Sequence, residues 1–145
     1  MKIELRKFGF GDYLRILFRT LNREYSKERE DTFFSYFPKG LKSVFQKDSY
    51  EFAILVDGKF AGNIGFMKKP KENYEVGYSV LKKYRGKSIA TSALSNLLKD
   101  FEKLGKITAV TDTENKASQK VLLNNNFKLT KQNKKKDELI WELAK

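Results

Sequence analysis

A chain of 145 residues with 40% hydrophobic and 14% aromatic content is long enough to bury one core of ordinary domain size, which excludes disorder as the default. It contains no cysteine and no histidine, excluding disulfides, thiolate nucleophiles, thiolate zinc sites and imidazole bases, so proton transfer falls to Asp, Glu, Tyr, Ser, Lys or water. The formal net charge of +12, from 30 Lys and Arg against 18 Asp and Glu, suits either a polyanionic companion or a generally solvated basic surface.

No linker, low-complexity tract or repeat divides the chain, so residues 1–145 read as a single domain. Charges at Lys2, Glu4, Arg6, Lys7, Asp12 and Arg15 leave no apolar leader. The apolar run 52–56 is far short of the roughly 20 residues of a membrane span, so a soluble, cytoplasmic protein without a membrane partner is expected.

Residues 1–6 alternate Ile3 and Leu5 with charged positions, as in a half-buried strand. Asp12 then reads as an N-cap for a helix carrying Leu14, Leu17, Phe18 and Leu21. Phe33, Phe34, Phe37, Leu41 and Phe45 suggest one or two short helical pieces over 31–45. Strands are predicted at 52–56 and 59–67, joined by Asp57-Gly58 as a type I′ turn, and at 74–81, where Gly77 predicts a bulge or a close backbone approach. Ser88 stands at an N-cap position before Ala90, Ala93, Leu94, Leu97, Leu98, Phe101 and Leu104, one apolar helix face that ends at Gly105. A buried strand at 107–110 precedes a helix with Ala117, Val121 and Leu122 inward and Asn126 as a left-handed terminator. Strands at 127–129 and 139–143 close the chain around a polar turn. This order predicts an α/β (α+β) protein: a mixed, mostly antiparallel sheet of six to seven strands flanked by about four helices.

The segment 83–91 carries the chemistry. Gly86 allows a sharp turn, and the unpaired first-turn N–H groups of the following helix, with its dipole, favour an anion there. Lys82, Lys83, Arg85 and Lys87 surround that point, so a diphosphate suits it; the same residues also suit an inert basic strand–helix turn. Neither a P-loop nor a dinucleotide fingerprint is present.

Arg85-x-x-Ser88-x-Ala90 resembles the acyl-CoA-binding motif Q/R-x-x-G-x-G/A of the GNAT acetyltransferase superfamily. Gly77-Tyr78-Ser79-Val80 resembles its central-strand Gly-Tyr pair, and Asn115-Lys116-Ala117-Ser118 the helix start of its ribosomal-protein-alanine N-acetyltransferase branch. Asn126-Phe127 stands where that branch usually has Gly-Phe. The chain departs from the pattern at Ser88, where the family has glycine, and at Lys82, where proline is common.

The resemblance implies acetyl-CoA as acyl donor, with no metal. Its pantetheine arm would run along Ser79, Val80 and Leu81, beside a bulge at Gly77. Its pyrophosphate would lie on the backbone of Arg85, Gly86, Lys87, Ser88, Ile89, Ala90 and Thr91, and Asn115 and Ser118 would stand near its sulfur. Transfer to an amine needs a proton acceptor, for which Glu75 acting through water is the candidate, and a proton donor, for which Ser118 is the candidate. Tyr78 is a second donor whose face the alternation leaves open. A backbone N–H near residues 77–79 would polarise the carbonyl. Plain capping of a helix by Asn115 and a solvated Glu75 are the alternatives to these roles. The acceptor expected first is a protein N-terminus, with Tyr25, Phe33, Phe34, Tyr36 and Phe37 near its channel; a small-molecule amine comes second. Nucleic acid is not expected as substrate, although the basic surface suits contact with a ribosome or RNA; a basic nucleic-acid-binding domain and a non-catalytic acyl-CoA sensor are the alternatives of another class, and the chain is expected to be a monomer or homodimer.

Overall fold

The computed structural model describes residues 1–12, 14 and 50–144. The one or two short helical pieces expected over 31–45, most of the helix expected after Asp12, and the aromatic set Tyr25, Phe33, Phe34, Tyr36 and Phe37 lie outside the described residues. The described elements are β1 (Ile3–Lys7), β2 (Tyr50–Val56), β3 (Lys59–Lys69), β4 (Asn73–Val80), α1 (Ile89–Asp100), β5 (Lys106–Asp112), α2 (Lys116–Leu123), β6 (Phe127–Asn133) and β7 (Glu138–Leu143). A single 3-10 turn, Lys82–Tyr84, links β4 to α1.

The seven strands form one sheet in the order β1-β2-β3-β4-β5-β7-β6. Only β4 and β5 run parallel; every other neighbouring pair is antiparallel. The mixed, mostly antiparallel sheet expected from element order is therefore present. Asp57 (φ 47°) and Gly58 (φ 75°) both take positive φ, as a type I′ turn requires, and set Val56 opposite Lys59.

Period-two alternation sorts β4 into two faces. Tyr74, Val76 and Val80 pack with Ile54, Ile64 and Phe66 against Ile89, Ala93, Leu94 and Leu97 of α1. Leu94 and Leu97 are fully buried, and burying each such side chain stabilises the fold by about 1.5–3 kcal/mol. Leu122 of α2 joins the same core, and the Trp141 indole N–H donates to Thr111 Oγ1 at 2.9 Å, which satisfies its polar edge. The opposite sheet face carries a second buried cluster of Phe8, Ala53, Phe60 and Leu81. None of the described helices is long and apolar enough to cross a membrane.

Several local expectations are corrected. Helical residues already begin at Phe10, and the Asp12 carboxylate reaches back to accept the Gly9 N–H at 3.0 Å, so Asp12 caps from inside the first turn. Ala117 is exposed rather than inward. Asn126 does take the expected left-handed conformation (φ 63°).

The correction that shapes the site concerns Gly77. β4 follows β3 without a slip, from Val80 opposite Gly62 to Asn73 opposite Lys69, so there is no bulge at Gly77. The extra residue lies elsewhere: Ile54 faces Gly62 and Leu55 faces Phe60, leaving Ala61 unpaired. The sheet opens on the other side of β4. Pairing with β5 covers only Asn73, Tyr74 and Glu75, and beyond Glu75 the two strands part. Among the described residues, a Cβ at Gly77 would meet no atom within 4 Å, so none of them makes the tight approach expected there.

Candidate active site

The loop between β4 and α1 is held from both ends. The Tyr84 and Arg85 N–H groups donate back to Leu81 and Lys82 carbonyls, and Arg85 Nε donates to the Val80 carbonyl at 3.0 Å. Buried Ile89 then anchors the start of α1. Between these anchors Gly86 adopts φ 73° and Ser88 φ 55°.

Ser88 stands at the N-cap position, as expected, but does not cap. A capping serine has an extended backbone that aims its hydroxyl at the first-turn N–H groups; Ser88 is left-handed and makes no such bond. Among the described residues the N–H groups of Ile89, Ala90 and Thr91 therefore meet no acceptor, and no acidic residue stands in the first turn. Lys82, Lys83, Arg85 and Lys87 are all exposed around this mouth. The result is a concentration of positive charge and open N–H groups fit for a diphosphate.

The β4–β5 gap begins at the same loop. Leu81 donates its N–H to the Ala61 carbonyl at 2.8 Å, which fixes the hydrogen-bonding parity of β4. Leu81, Ser79 and Gly77 thus turn their backbone groups toward β3, whereas Val80 and Tyr78 turn theirs toward the gap. Of the predicted trio Ser79, Val80 and Leu81, only Val80 offers its N–H there, and its carbonyl is taken by Arg85. The backbone groups of Tyr78 turn to the same side, a point that residue types alone do not reveal.

The two sides of the gap differ chemically. On the helix side, Tyr78 shares the face of Tyr74, Val76 and Val80, and its hydroxyl donates to the Ser118 carbonyl at 3.2 Å. Asn115 Oδ1 accepts the Ser118 N–H at 3.1 Å, so Asn115 caps α2 and holds Ser118 beside Tyr78. On the other side lie carboxylates. Glu75 is ion-paired with Lys69 at 3.2 Å.

A second carboxylate, Glu51 on β2, was not anticipated from sequence. Its Oε1 accepts the Asn63 amide N–H at 2.7 Å. The residue as a whole is half-buried, but its carboxyl is enclosed, and burial raises its pKa from 4.5 to about 7 against the lowering effect of the Asn63 hydrogen bond. The one available signal was its phase, since Glu51 shares parity with Ala53 and Leu55 on an apolar face. Because the folded chain holds this proton more tightly than the unfolded chain, Glu51 favours folding below about pH 4.5. That contribution is lost as pH rises through about 7, with an upper bound of about 3 kcal/mol.

A family model described as Acetyltransferase (GNAT) domain matches residues 5–128. No curated protein sequence matches the chain. Solved structures share the fold at low identity. A chimera of the spermidine N-acetyltransferase SpeG from Vibrio cholerae and hSSAT aligns with a TM-score of 0.79 and 15% identity, over 99% of this chain and 96% of that one. The Campylobacter jejuni N-acetyltransferase PseH, in complex with acetyl coenzyme A, aligns at 0.70 and 17%, over 99% of both chains. RimL, a ribosomal α-N-protein acetyltransferase in complex with coenzyme A, aligns at 0.77 and 13%, over 98% of this chain and 93% of its own.

Proposed function

The chain belongs to the GNAT acetyltransferase family, and on that premise we propose that it is a single-domain enzyme passing an acetyl group from acetyl-CoA directly to the α-amine of a protein N-terminus, such as that of a ribosomal protein. This places it functionally with the ribosomal-protein-alanine branch that its Asn115-x-x-Ser118 helix start resembles. When bound, acetyl-CoA supplies a thioester carbonyl open to attack and a thiol leaving group.

The chain's own residues divide the work. Arg85, Gly86, Lys87, Ser88, Ile89, Ala90 and Thr91 hold the pyrophosphate through backbone N–H groups and charge. Ser79, Val80 and Leu81 flank the pantetheine arm, with Val80 and Tyr78 giving it backbone partners. The Tyr78 N–H is the one within residues 77–79 that turns toward the gap, and it polarises the carbonyl. Ser118, with Asn115 holding its helix start and Tyr78 beside it, protonates the leaving sulfur. A carboxylate on the face away from α1 takes up the amine proton.

The observation that supports this reading is the opposition of the two sheet faces beside the β4–β5 gap: the Tyr78 hydroxyl, bonded to the start of α2 at the Ser118 carbonyl, on one face, and the carboxylates of Glu75 on β4 and Glu51 on β2 on the other. Direct transfer needs a proton acceptor within reach of the attacking nitrogen and a separate proton donor within reach of the leaving sulfur. The acceptor class follows from base strength. An α-amine, with pKa about 7.7–8.0, is about 10–20% neutral at pH 7, whereas a lysine amine near 10.4 is well below 0.1%. A site without histidine, offering carboxylates of which one titrates at about 7, suits the former.

Thiol release measured across peptides with free N-termini, polyamines and aminoglycosides tests the reading. Peptides should turn over and their Nα-blocked versions should not. Turnover of cationic small amines alone would replace the acceptor, and acetyl-CoA binding without any transfer would make the protein an acyl-CoA sensor.

Ser88→Gly is expected to improve the enzyme. A non-glycine residue in the left-handed region costs about 1 kcal/mol relative to glycine. The substitution should raise the melting temperature by a few degrees and tighten acetyl-CoA binding several-fold, read by thermal unfolding and calorimetry. Weaker binding would mean that the serine hydroxyl itself contacts the ligand.

A further inference from the structure

Sheet register brings three residues into one lateral row on the face away from α1: Glu51 on β2, Gly65 on β3 and Gly77 on β4. A Cβ at Gly65 would come within 2.5 Å of Glu51 Oε2, so the carboxylate lies over the bare glycine and leans toward β4. Adjacent strands are about 5 Å apart, which puts that oxygen roughly one strand spacing from Gly77. Gly77 adds no side chain, and the gap opens immediately beyond it. A row of two glycines therefore forms a lane from an enclosed carboxylate to the edge of the gap.

We propose that Glu51, positioned by Asn63, is the group that receives the proton of the acceptor amine; this rests on the acetyltransferase reading of the β4–β5 gap. Glu75 is less suited. It sits two residues along β4 from Gly77 and is ion-paired with Lys69, whereas the only partner of the Glu51 carboxyl among the described residues is a neutral amide. Among the described residues, the other charged groups on this face are Glu4 and Arg6 on β1, the latter paired with Asp12 at 2.6 Å, the Lys69–Glu75 pair on β3 and β4, and, beyond the gap, Lys106, Asp112, Glu138 and Glu142 on β5 and β7 with Lys128 and Lys131 on β6. The titration of Glu51 near pH 7 matches this task, since a base ionised at working pH and not far below it in strength transfers protons best.

The step balances. The amine nitrogen forms a bond to the acetyl carbon as the carbon–sulfur bond breaks. One nitrogen-bound proton passes to Glu51, directly or across one water, and later to solvent. One proton from the Tyr78–Ser118 side reaches sulfur, giving an amide and a free thiol with no change of oxidation state. Glu51 and the hydroxyls then act from opposite faces of the sheet.

The test is the pH dependence of kcat/KM with a peptide acceptor, together with acetyl-CoA binding by calorimetry, for the wild-type protein, Glu51→Gln, Asn63→Ala and Glu75→Gln. Glu51→Gln keeps the shape of the side chain and an acceptor for Asn63, so acetyl-CoA affinity should stay within about twofold. Its turnover near neutrality should fall about 100-fold, and the limb that rises near pH 7 should vanish. Asn63→Ala removes a hydrogen bond that favours the ionised carboxylate, so the limb should move to higher pH. A residue of merely structural importance would lower activity without moving it. Glu75→Gln should leave the limb in place. A Glu51→Gln protein that binds acetyl-CoA and keeps the wild-type profile overturns this inference while leaving the enzyme reading intact, as does a Glu75→Gln protein that loses the limb. A wild-type protein that binds no acetyl-CoA overturns both.

Discussion

Gly86→Glu is expected to abolish acetyl-CoA binding, weakening it at least about 100-fold while the protein remains folded. Two effects combine. Gly86 takes φ 73°, so any side chain there is strained by about 1–2 kcal/mol. A Cβ at this position meets no atom of the described residues within 4 Å, so the carboxylate extends into the mouth beside the first turn of α1. A charge 4 Å from another interacts by about 4 kcal/mol at an effective dielectric of 20, and 100-fold in affinity corresponds to about 2.7 kcal/mol. Repulsion of a diphosphate is large enough by itself. Gly86→Ala is the control: it carries the strain without the charge and should weaken binding by about tenfold or less. Calorimetry alongside circular dichroism separates the cases. A folded Gly86→Glu protein with unchanged affinity would remove the diphosphate from this loop.

The second large effect is a contrast between two glycines that face each other across β3 and β4. At Gly65 a Cβ would strike the Tyr50 carbonyl oxygen and the Glu51 carboxylate, so the β2 backbone would have to move. Gly65→Ala is expected to destabilise the fold by about 3 kcal/mol, lowering the melting temperature by about 10 °C. At Gly77 a Cβ meets none of the described residues within 4 Å and φ is not positive, so Gly77→Ala should leave the melting temperature within about 2 °C. Its kcat/KM should nevertheless fall by about tenfold or more, because the added methyl enters the lane between Glu51 and the gap. Thermal unfolding and steady-state kinetics read both. An active Gly77→Ala protein would mean that the lane is not where the amine approaches.

Much of the architecture follows from local pattern. Asp57-Gly58 forces a hairpin because few residue pairs accept two consecutive positive φ values. The spacing of Ala93, Leu94 and Leu97 determines which side of α1 is buried. The strand–loop–helix at 81–91 reads as an anion site because a glycine, four cations and a helix start lie within one short segment. Where local pattern failed, a second solution existed. Ser88 is in the right place but left-handed, because the turn approaching α1 takes the geometry that glycine usually provides. Gly77 reads equally well as a bulge or as open space; the choice depends on β5, which lies beyond a whole helix in the chain.

From residue 50 onward the elements, their order and the loop that suits a diphosphate are legible in residue order alone, since each rests on contacts between residues a few positions apart. Which backbone groups of β4 face the gap, which side Tyr78 takes and that Glu51 lies over Gly65 follow only from the assembled sheet. The physical reason is that strand alternation fixes which residues share a face, but not which face meets the helices or which residue lies alongside. Those depend on pairing register between segments distant in the chain, and the Tyr78 hydroxyl and the Glu51 and Glu75 carboxylates come to opposite faces only once that register is formed.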